Sequence, residues 1–143
     1  MTIQFNFQKR ARLINSTRLK SFIVLMAAKE KKEIDELNFI FCDNDYLLDI
    51  NRSNLQHDYF TDIITFGSNQ GRSKTIGGEI YISVDMVKSN AESYNTSFSN
   101  ELLRVTFHGV LHLCGYKDKS KNDIKLMRSK EDYYIKLYQE YKD

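Results

Sequence analysis

The spacing of hydrophobic and polar residues along this chain predicts four β-strands. Residues 3–7 alternate apolar and polar side chains, as an edge strand does. Residues 37–42 are almost continuously apolar, which is typical of a strand that is buried on both faces. Two shorter apolar segments, 63–66 and 79–83, predict the remaining strands. The small and polar residues between them, 67–77, predict a mobile hairpin loop.

Apolar residues at helical spacing predict five helices around these strands. The helices are expected over residues 17–31, shortly after 43, from 84, over 100–114 and from 120. The residues expected to cap four of them are Ser16, Asp43, Ser83 and Ser120. The apolar side chains expected along them are Leu19, Phe22, Ile23, Met26, Leu47, Leu48, Ile50, Val84, Val87, Ala91, Tyr94, Ile124, Met127, Ile135 and Tyr138. The pattern predicts an α+β fold, a mixed sheet of about four strands flanked by helices.

Composition adds a cellular context to this fold. With 41% hydrophobic residues and no proline in 143 residues, the chain is expected to be one globular domain, residues 1–143. No apolar segment approaches the ~20 residues that span a bilayer, and the N-terminal sequence lacks the features of a signal peptide. Cys42 and Cys114 are too few for a disulfide framework, and Cys114 is expected to be a small buried side chain. We therefore expect a cytoplasmic protein without membrane partners.

Charge is distributed unevenly, although the formal net charge is only +2. Residues 1–32 carry a net charge of +7, residues 33–116 carry −7 and residues 117–143 carry +2. The last segment contains a group of basic residues, which are Lys117, Lys119, Lys121, Lys125, Arg128 and Lys130. Such a group favours an anionic partner such as a phosphodiester. A solvated helix face accounts for it equally well.

Candidate chemistry is concentrated in residues 107–118, Phe-His-Gly-Val-Leu-His-Leu-Cys-Gly-Tyr-Lys-Asp. His108 and His112 are four residues apart, so on a helix both imidazoles project from one face and can bind one zinc-like ion. Gly115 is suited to end that helix, and the turn after it can return Asp118 as a third, oxygen ligand. Three protein ligands leave a fourth position for water, as in catalytic zinc sites. Alternatively, the two histidines only form local hydrogen bonds.

The residues around this histidine pair resemble a known family signature. The segment His-Gly-Val-Leu-His-Leu-Cys-Gly-Tyr matches seven specified positions of His-Gly-x-Leu-His-Leu-x-Gly-Tyr-Asp-His, the signature of the YbeY family of bacterial rRNA maturation endoribonucleases. Residues 61–66 and 78–83 are similar to two further blocks of that family, Thr-Asp-Val-Leu-Ser-Phe and Gly-Asp-Ile-x-Ile-Ser. The resemblance covers about residues 36–132 and implies a zinc-dependent endoribonuclease, with one Zn²⁺ or another divalent metal ion per chain.

The resemblance also implies substrates and partners. These are single-stranded RNA and rRNA precursors, and the ribosome or its proteins. The implied roles are maturation of the 16S rRNA 3′ end and ribosome quality control. The ion would polarise the scissile phosphate or activate a water molecule.

Two positions depart from the family pattern. The family's third ligand is a histidine where this chain has Asp118, which follows Lys117 in place of an aspartate. The family also has a functional arginine six residues before the Thr-Asp block, where this chain has Leu55. His57 could line the site in place of that arginine, or could be an exposed loop residue.

Two acidic residues are further candidates, because they lie in otherwise apolar strands. Asp62 and Glu79 could orient a water molecule or the ligating histidines, as carboxylates near metal sites often do. They could equally cap a turn or pair with a lysine. The general acid and base are therefore not assigned by the sequence.

Three other function classes are alternatives to a nuclease. Zinc proteases of the His-Glu-x-x-His type have their general base directly after the first histidine, where this chain has Gly109, so a protease is disfavoured. We expect Gly109 instead to leave room for a polymer backbone beside the ion. A non-catalytic ribosome-associated factor with a structural metal remains open. So does a non-haem iron enzyme, because two histidines and one carboxylate also describe its metal ligands.

Overall fold

The computed structural model describes residues 2–11, 15–55, 61–67 and 72–142, except for the side chain of Leu55. The strands in this part of the chain are β1 (Thr2–Phe7), β2 (Glu33–Cys42), β3 (Ile63–Gly67) and β4 (Thr75–Ser83). The helices are α1 (Ser16–Lys29), α2 (Asn44–Leu55), α3 (Val84–Ser93), α4 (Phe98–Leu113) and α5 (Lys121–Glu140). None of these helices is long and apolar enough to cross a membrane.

The strands form one mixed sheet in the order β1-β2-β4-β3. β1 pairs in parallel with β2, and β2 pairs in parallel with β4. β3 runs antiparallel to β4 at the other edge. The edge position of β1 agrees with its alternating sequence pattern. A mixed four-stranded sheet flanked by helices confirms the predicted α+β fold.

The central strand β2 is covered on both faces, as its apolar sequence predicted. Phe39, Ile40, Phe41 and Cys42 are consecutive and all buried. On one face, a large core joins the sheet to α1, α3, α4 and α5. On the other face, a smaller cluster of Cys42, Leu47 and Ile64 is covered by α2. Successive side chains of a strand point to opposite faces, so only a strand between two helical layers can bury all four.

The helix caps mostly follow the prediction. The side chains of Asp43, Ser83 and Ser120 each accept a hydrogen bond from a backbone N–H in the first turn that follows. The predicted cap at Ser16 is wrong. The cap of α1 is Asn15, which adopts the left-handed conformation at φ 59° and accepts a hydrogen bond from Arg18 N at 3.0 Å. Asparagine tolerates this conformation better than most residues, and its carbonyl reaches the first turn as serine would.

Two strands begin four residues before the predicted starts. β2 begins at Glu33 instead of residue 37, and β4 begins at Thr75 instead of residue 79. Glu33 pairs with Thr75 across the two strands, and a register irregularity follows before Leu37. This pairing is non-local, so residues 33–36, three of which are acidic, did not indicate it. The mobility predicted for the loop over 67–77 is not tested, because residues 68–71 lie outside the described part.

Helix α4 packs closely on the sheet at Gly109. A Cβ atom added at Gly109 would lie 2.9 Å from Ile63 Cδ1 and 2.9 Å from Ile80 Cγ2, closer than real Cβ atoms approach. The absence of a side chain therefore sets the distance between α4 and strands β3 and β4. The expectation that Gly109 leaves room for a substrate is wrong, because this position faces the sheet.

Two apolar residues expected to face the core are exposed instead. Tyr94 lies just beyond the end of α3 and has 61% of its surface exposed. Ile124 lies in the first turns of α5 and is 52% exposed. Both lie near the ends of their helices. The apolar residues Val87 and Met127, on the same two elements, are buried. Periodicity marks the face of a helix, but it does not mark where the neighbouring element ends.

Candidate metal centre

The end of α4 brings the two histidines and the following turn together. The rings of His108 and His112 are neighbours, with their centroids 4.5 Å apart. Helix α4 ends at Leu113, and Gly115 follows with a φ of 110°, in the region that favours glycine. Gly115 N donates to His112 O, and Tyr116 N donates to Leu111 O, both at 3.0 Å. These two bonds form a Schellman motif, which reverses the chain and returns residues 117–119 toward the histidines.

The three predicted metal ligands converge on one point. Asp118 Oδ2 lies 3.3 Å from His112 Nε2 and 3.4 Å from His108 Nε2. One ligand atom from each of the three residues lies within 4.8 Å of the other two. Tetrahedral coordination with bonds of ~2.0–2.1 Å requires ligand atoms roughly 3.3–3.4 Å apart. The two distances from Asp118 match this spacing, so the three side chains, which line a cleft, could together hold a metal ion.

Hydrogen bonds at the opposite ring nitrogens orient both imidazoles. His108 Nδ1 lies 2.6 Å from Glu131 Oε2, and His112 Nδ1 lies 2.9 Å from the backbone oxygen of Tyr116. Both partners are acceptors, so each Nδ1 carries the proton, and in the neutral ring each Nε2 has its lone pair available. Histidines that bind metals are usually held in this way, with the second nitrogen donating to a carboxylate or carbonyl.

Glu131 contacts His108 at this site, although the sequence motifs did not indicate it. It is only 5% exposed, and it lies on α5, 23 residues beyond His108. Its other oxygen, Oε1, accepts a hydrogen bond from Arg104 Nη1 at 2.9 Å, and Arg104 also contacts Asp132 at 2.7 Å. A signal was present in the sequence, because Glu131 is an acidic residue within the buried stripe of α5 between Met127 and Tyr134.

The surroundings move the pKa values of the two histidines in opposite directions. Burial lowers the pKa of His108, but the hydrogen bond and charge of Glu131 outweigh it and leave that pKa above its usual value. Burial and then the charge of His108 lower the pKa of His112. Of the two rings, His108 therefore keeps its second proton to higher pH, so a metal ion at these residues would compete with protons more at His108 than at His112.

The three residues lie in a cleft with a volume of about 430 Å³. Its size is within the ~300–1,000 Å³ of typical ligand sites. Among the described residues, the charged ones that line it are Asp62, Glu101, Arg104, Asp118, Arg128 and Glu131. Of the basic residues at 117–130 in the sequence, only Arg128 lines this cleft, so its floor is more acidic than the sequence suggested.

The remaining candidates lie in different places. Asp62 lines the cleft, accepts a hydrogen bond from Asn90 at 3.2 Å, and has a raised pKa because it is buried. Glu79 does not line this cleft. It is exposed and accepts a hydrogen bond from the Tyr81 hydroxyl at 3.2 Å. Strand alternation explains this position, since Ile80 points toward α4 and Glu79 therefore points to the opposite face. His57 and the side chain of Leu55 lie outside the described residues.

A second set of hydrogen bonds holds the turn from its far side. The Tyr116 hydroxyl donates to Glu30 Oε1 at 2.6 Å, and Glu30 also accepts from the Tyr134 hydroxyl and from Lys130. Tyr116 therefore contacts His112 through its backbone and the end of α1 through its side chain. Cys114, on the same turn, packs against the core, and burial raises the pKa of its thiol to about 12.

Comparison with known proteins identifies a matching family, similar sequences and a similar solved structure. The sequence matches the family described as Endoribonuclease YbeY over residues 4–139. Endoribonuclease YbeY of Flavobacterium johnsoniae is 45% identical over 136 residues, 95% of this chain and 96% of that protein. Endoribonuclease YbeY of Karelsulcia muelleri is 41% identical over 133 residues, 93% of each chain. The solution structure of TM1509 from Thermotoga maritima has a TM-score of 0.66 and 27% identity, and the match covers 96% of this chain and 89% of that one.

Proposed function

The chain belongs to the Endoribonuclease YbeY family, and on this premise we propose that it is a zinc-dependent endoribonuclease that cleaves single-stranded RNA. Its substrates are rRNA precursors, and its roles are maturation of the 16S rRNA 3′ end and ribosome quality control. It acts in the cytoplasm as a single domain, residues 1–143, together with the ribosome or ribosomal proteins. Other divalent metals can take the place of zinc.

The observation that carries this proposal is the geometry of His108, His112 and Asp118. Asp118 Oδ2 lies at the spacing of a tetrahedral site from both Nε2 atoms, and the three ligand atoms lie within 4.8 Å of one another. A divalent ion bound there would stabilise negative charge on a scissile phosphate. The open side of the site faces the cleft, where a polymer backbone can approach.

The protein's own side chains supply orientation and proton transfer. Glu131 fixes the ring of His108, and the carbonyl of Tyr116 fixes the ring of His112. Asp62 is our candidate for the proton-transfer residue, because it lines the cleft and burial raises the pKa of its carboxyl. A raised pKa moves a carboxyl toward the range in which it exchanges protons near neutral pH.

The metal ligands are tested by measuring the metal content of purified protein. We expect one zinc ion per chain, lost in His112→Ala while the circular dichroism spectrum is kept, because the core lies on the other side of α4. Full metal occupancy in His112→Ala would contradict the assignment. Analysis of protein purified without oxygen distinguishes zinc from iron, the metal that the non-haem alternative requires.

The activity is tested on defined single-stranded RNAs, with and without a chelator. We expect cleavage that the chelator abolishes and that zinc restores, and no cleavage of peptides. Asp62→Asn should lose most cleavage and keep the metal, which separates proton transfer from metal binding. Ribosome binding that persists in His108→Ala/His112→Ala, without any chelator-sensitive cleavage in the unchanged protein, would favour the non-catalytic ribosome factor.

A further inference from the structure

Two apolar side chains meet at the cleft that contains the metal ligands. Tyr94 and Ile124 are more than half exposed, and both line the same cleft as His108 and His112. They come from different elements, since Tyr94 follows α3 and Ile124 belongs to α5. Single exposed apolar residues are ordinary on protein surfaces. Two that converge on one cleft beside a candidate metal centre form an apolar surface that a ligand can cover.

The backbone holds Tyr94 firmly although its ring is exposed. Tyr94 N donates to Asn90 O, and Thr96 N donates to Ala91 O, both at 2.9 Å. Asn95 between them adopts the left-handed conformation at φ 54°, which ends the helix. A ring attached to such a fixed backbone loses little conformational entropy when a flat ligand packs on it, because an aromatic side chain has only two rotatable angles.

The same cleft contains one arginine that is positioned to bind an anion. Arg128 has 53% of its side chain exposed, and its ion pair with Glu131 Oε1 is long, at 3.7 Å. Arg104 differs, because it is 18% exposed and bonded to both Glu131 and Asp132. Arg104 is therefore committed to the protein, whereas the Arg128 guanidinium can turn toward a ligand. The cleft around Arg128 is lined by acidic side chains. A phosphate of the RNA that does not contact the metal ion therefore needs a cation such as Arg128 to bind it.

We propose that Tyr94 and Arg128 form a subsite for one nucleotide of single-stranded RNA, in which a base stacks on Tyr94 and Arg128 binds a phosphate. The inference rests on the proposed function and names the residues that select the substrate. Stacking on a protein ring needs a base that is not already stacked in a duplex. Tyr94 then selects single-stranded RNA over a duplex, and Arg128 attracts the phosphates of the RNA backbone.

The test measures binding, so it does not depend on catalysis. A fluorescent, single-stranded 2′-O-methyl RNA of about eight nucleotides is titrated by anisotropy, and its integrity is checked on a gel. Tyr94→Ala should weaken binding by about 5- to 150-fold, the range for one lost base stack, with an unchanged salt dependence. Tyr94→Phe keeps the ring and should bind as the unchanged protein does. Arg128→Gln should reduce the slope of log affinity against log salt by about 0.7.

Matched controls come from outside the cleft. Tyr133 is 47% exposed and packs beside Tyr134, so Tyr133→Ala removes a similar ring at another place. Lys136→Gln removes an exposed charge further along α5. Neither control should change RNA affinity as its cleft counterpart does. A duplex of the same sequence should bind Tyr94→Ala and the unchanged protein equally.

The outcomes separate this subsite from the proposed function. RNA cleavage by the unchanged protein, with the affinity and KM of Tyr94→Ala and Arg128→Gln unaltered, would overturn the subsite and leave the nuclease in place. Binding that depends on Tyr94 and Arg128, without any cleavage, would support the subsite and overturn the nuclease. Equal losses in Tyr94→Ala and Tyr133→Ala would also overturn the subsite, because a general loss of surface aromatics would then explain the effect.

Discussion

Replacement of Glu131 by glutamine tests whether this buried carboxylate prepares the metal centre. Glutamine keeps the volume of the side chain but removes its charge and one of its two acceptor oxygens. Glu131 accepts from His108 Nδ1 through one oxygen and from Arg104 Nη1 through the other. In Glu131→Gln the amide NH₂ must face one of these two donors. At least one of the two hydrogen bonds is therefore lost, whichever way the amide turns.

The expected losses follow from these contacts. Removal of a partner that orients a metal ligand lowers metal affinity by ~10–100-fold, which is about 1.4–2.7 kcal/mol. A buried donor without an acceptor also costs about 1–3 kcal/mol, so the metal-free protein should be less stable by that amount. Zinc affinity is measured by competition with a chromogenic chelator. Stability is measured by urea denaturation in the presence of EDTA, where zinc makes no contribution.

The neighbouring carboxylate supplies the control. Asp132 bonds to the same arginine at 2.7 Å, but its side chain is 60% exposed. Among the described residues, Asp132 makes no hydrogen bond or ion pair with His108 or His112. Asp132→Asn should therefore lose less than about 1 kcal/mol of stability, as exposed ion pairs do, and should keep its zinc affinity. Unchanged zinc affinity in Glu131→Gln, or an equal loss in both variants, would refute the orienting role of Glu131.

Three further predictions concern the contact of Gly109 with the sheet, the ligand Asp118 and the hydrogen bonds of Glu30. Gly109→Ala should lower the urea midpoint and the free energy of unfolding, by about 1–3 kcal/mol, because the added Cβ overlaps Ile80. Increased stability, which helix propensity alone favours, would show that α4 packs on the sheet more loosely than this contact requires. Asp118→Ala should weaken zinc binding by more than the ~10–100-fold loss of affinity that follows removal of an orienting residue. Asp118→His should keep zinc and shift the alkaline rise of cleavage to lower pH. Unchanged zinc affinity in Asp118→Ala would contradict the assignment of Asp118 as a ligand. Burial alone would raise the pKa of Glu30, but hydrogen bonds from Tyr116 and Tyr134 outweigh burial, so the pKa in the folded protein is lowered. The ionised side chain therefore stabilises the fold fully above its unfolded pKa near 4.5, and this stabilisation is lost as the pH falls through the lowered value. The difference in urea stability between the unchanged protein and Glu30→Gln should shrink below about pH 4.

The part of the site that the sequence predicted is the part with local geometry. His108 and His112 share a helix face because of the helical repeat, and Gly115 and Asp118 follow within one turn. Their relative positions depend on few backbone angles, all of residues within a short segment. The pattern in residues 107–118 therefore indicated the cluster without knowledge of the rest of the fold.

The part that the sequence missed depends on how distant elements dock. Glu131 meets His108 only because α5 packs along α4, and nothing local to Glu131 specifies that contact. The same holds for Tyr94, whose exposure depends on where the neighbouring helices end. The early start of β2 likewise depends on its pairing with Thr75, more than 30 residues away. Periodicity predicted the elements, but their contacts came from tertiary packing.

The two histidines differ in the kind of group that holds each of them. His112 is held by the backbone carbonyl of residue 116, which any amino acid at that position would provide. His108 is held by the side chain of Glu131, which a single substitution can change. During evolution, the basicity of one imidazole can thus be adjusted while that of the other stays fixed by the chain itself. A lineage can alter the site through a residue of α5 and leave every position of the histidine motif as it is.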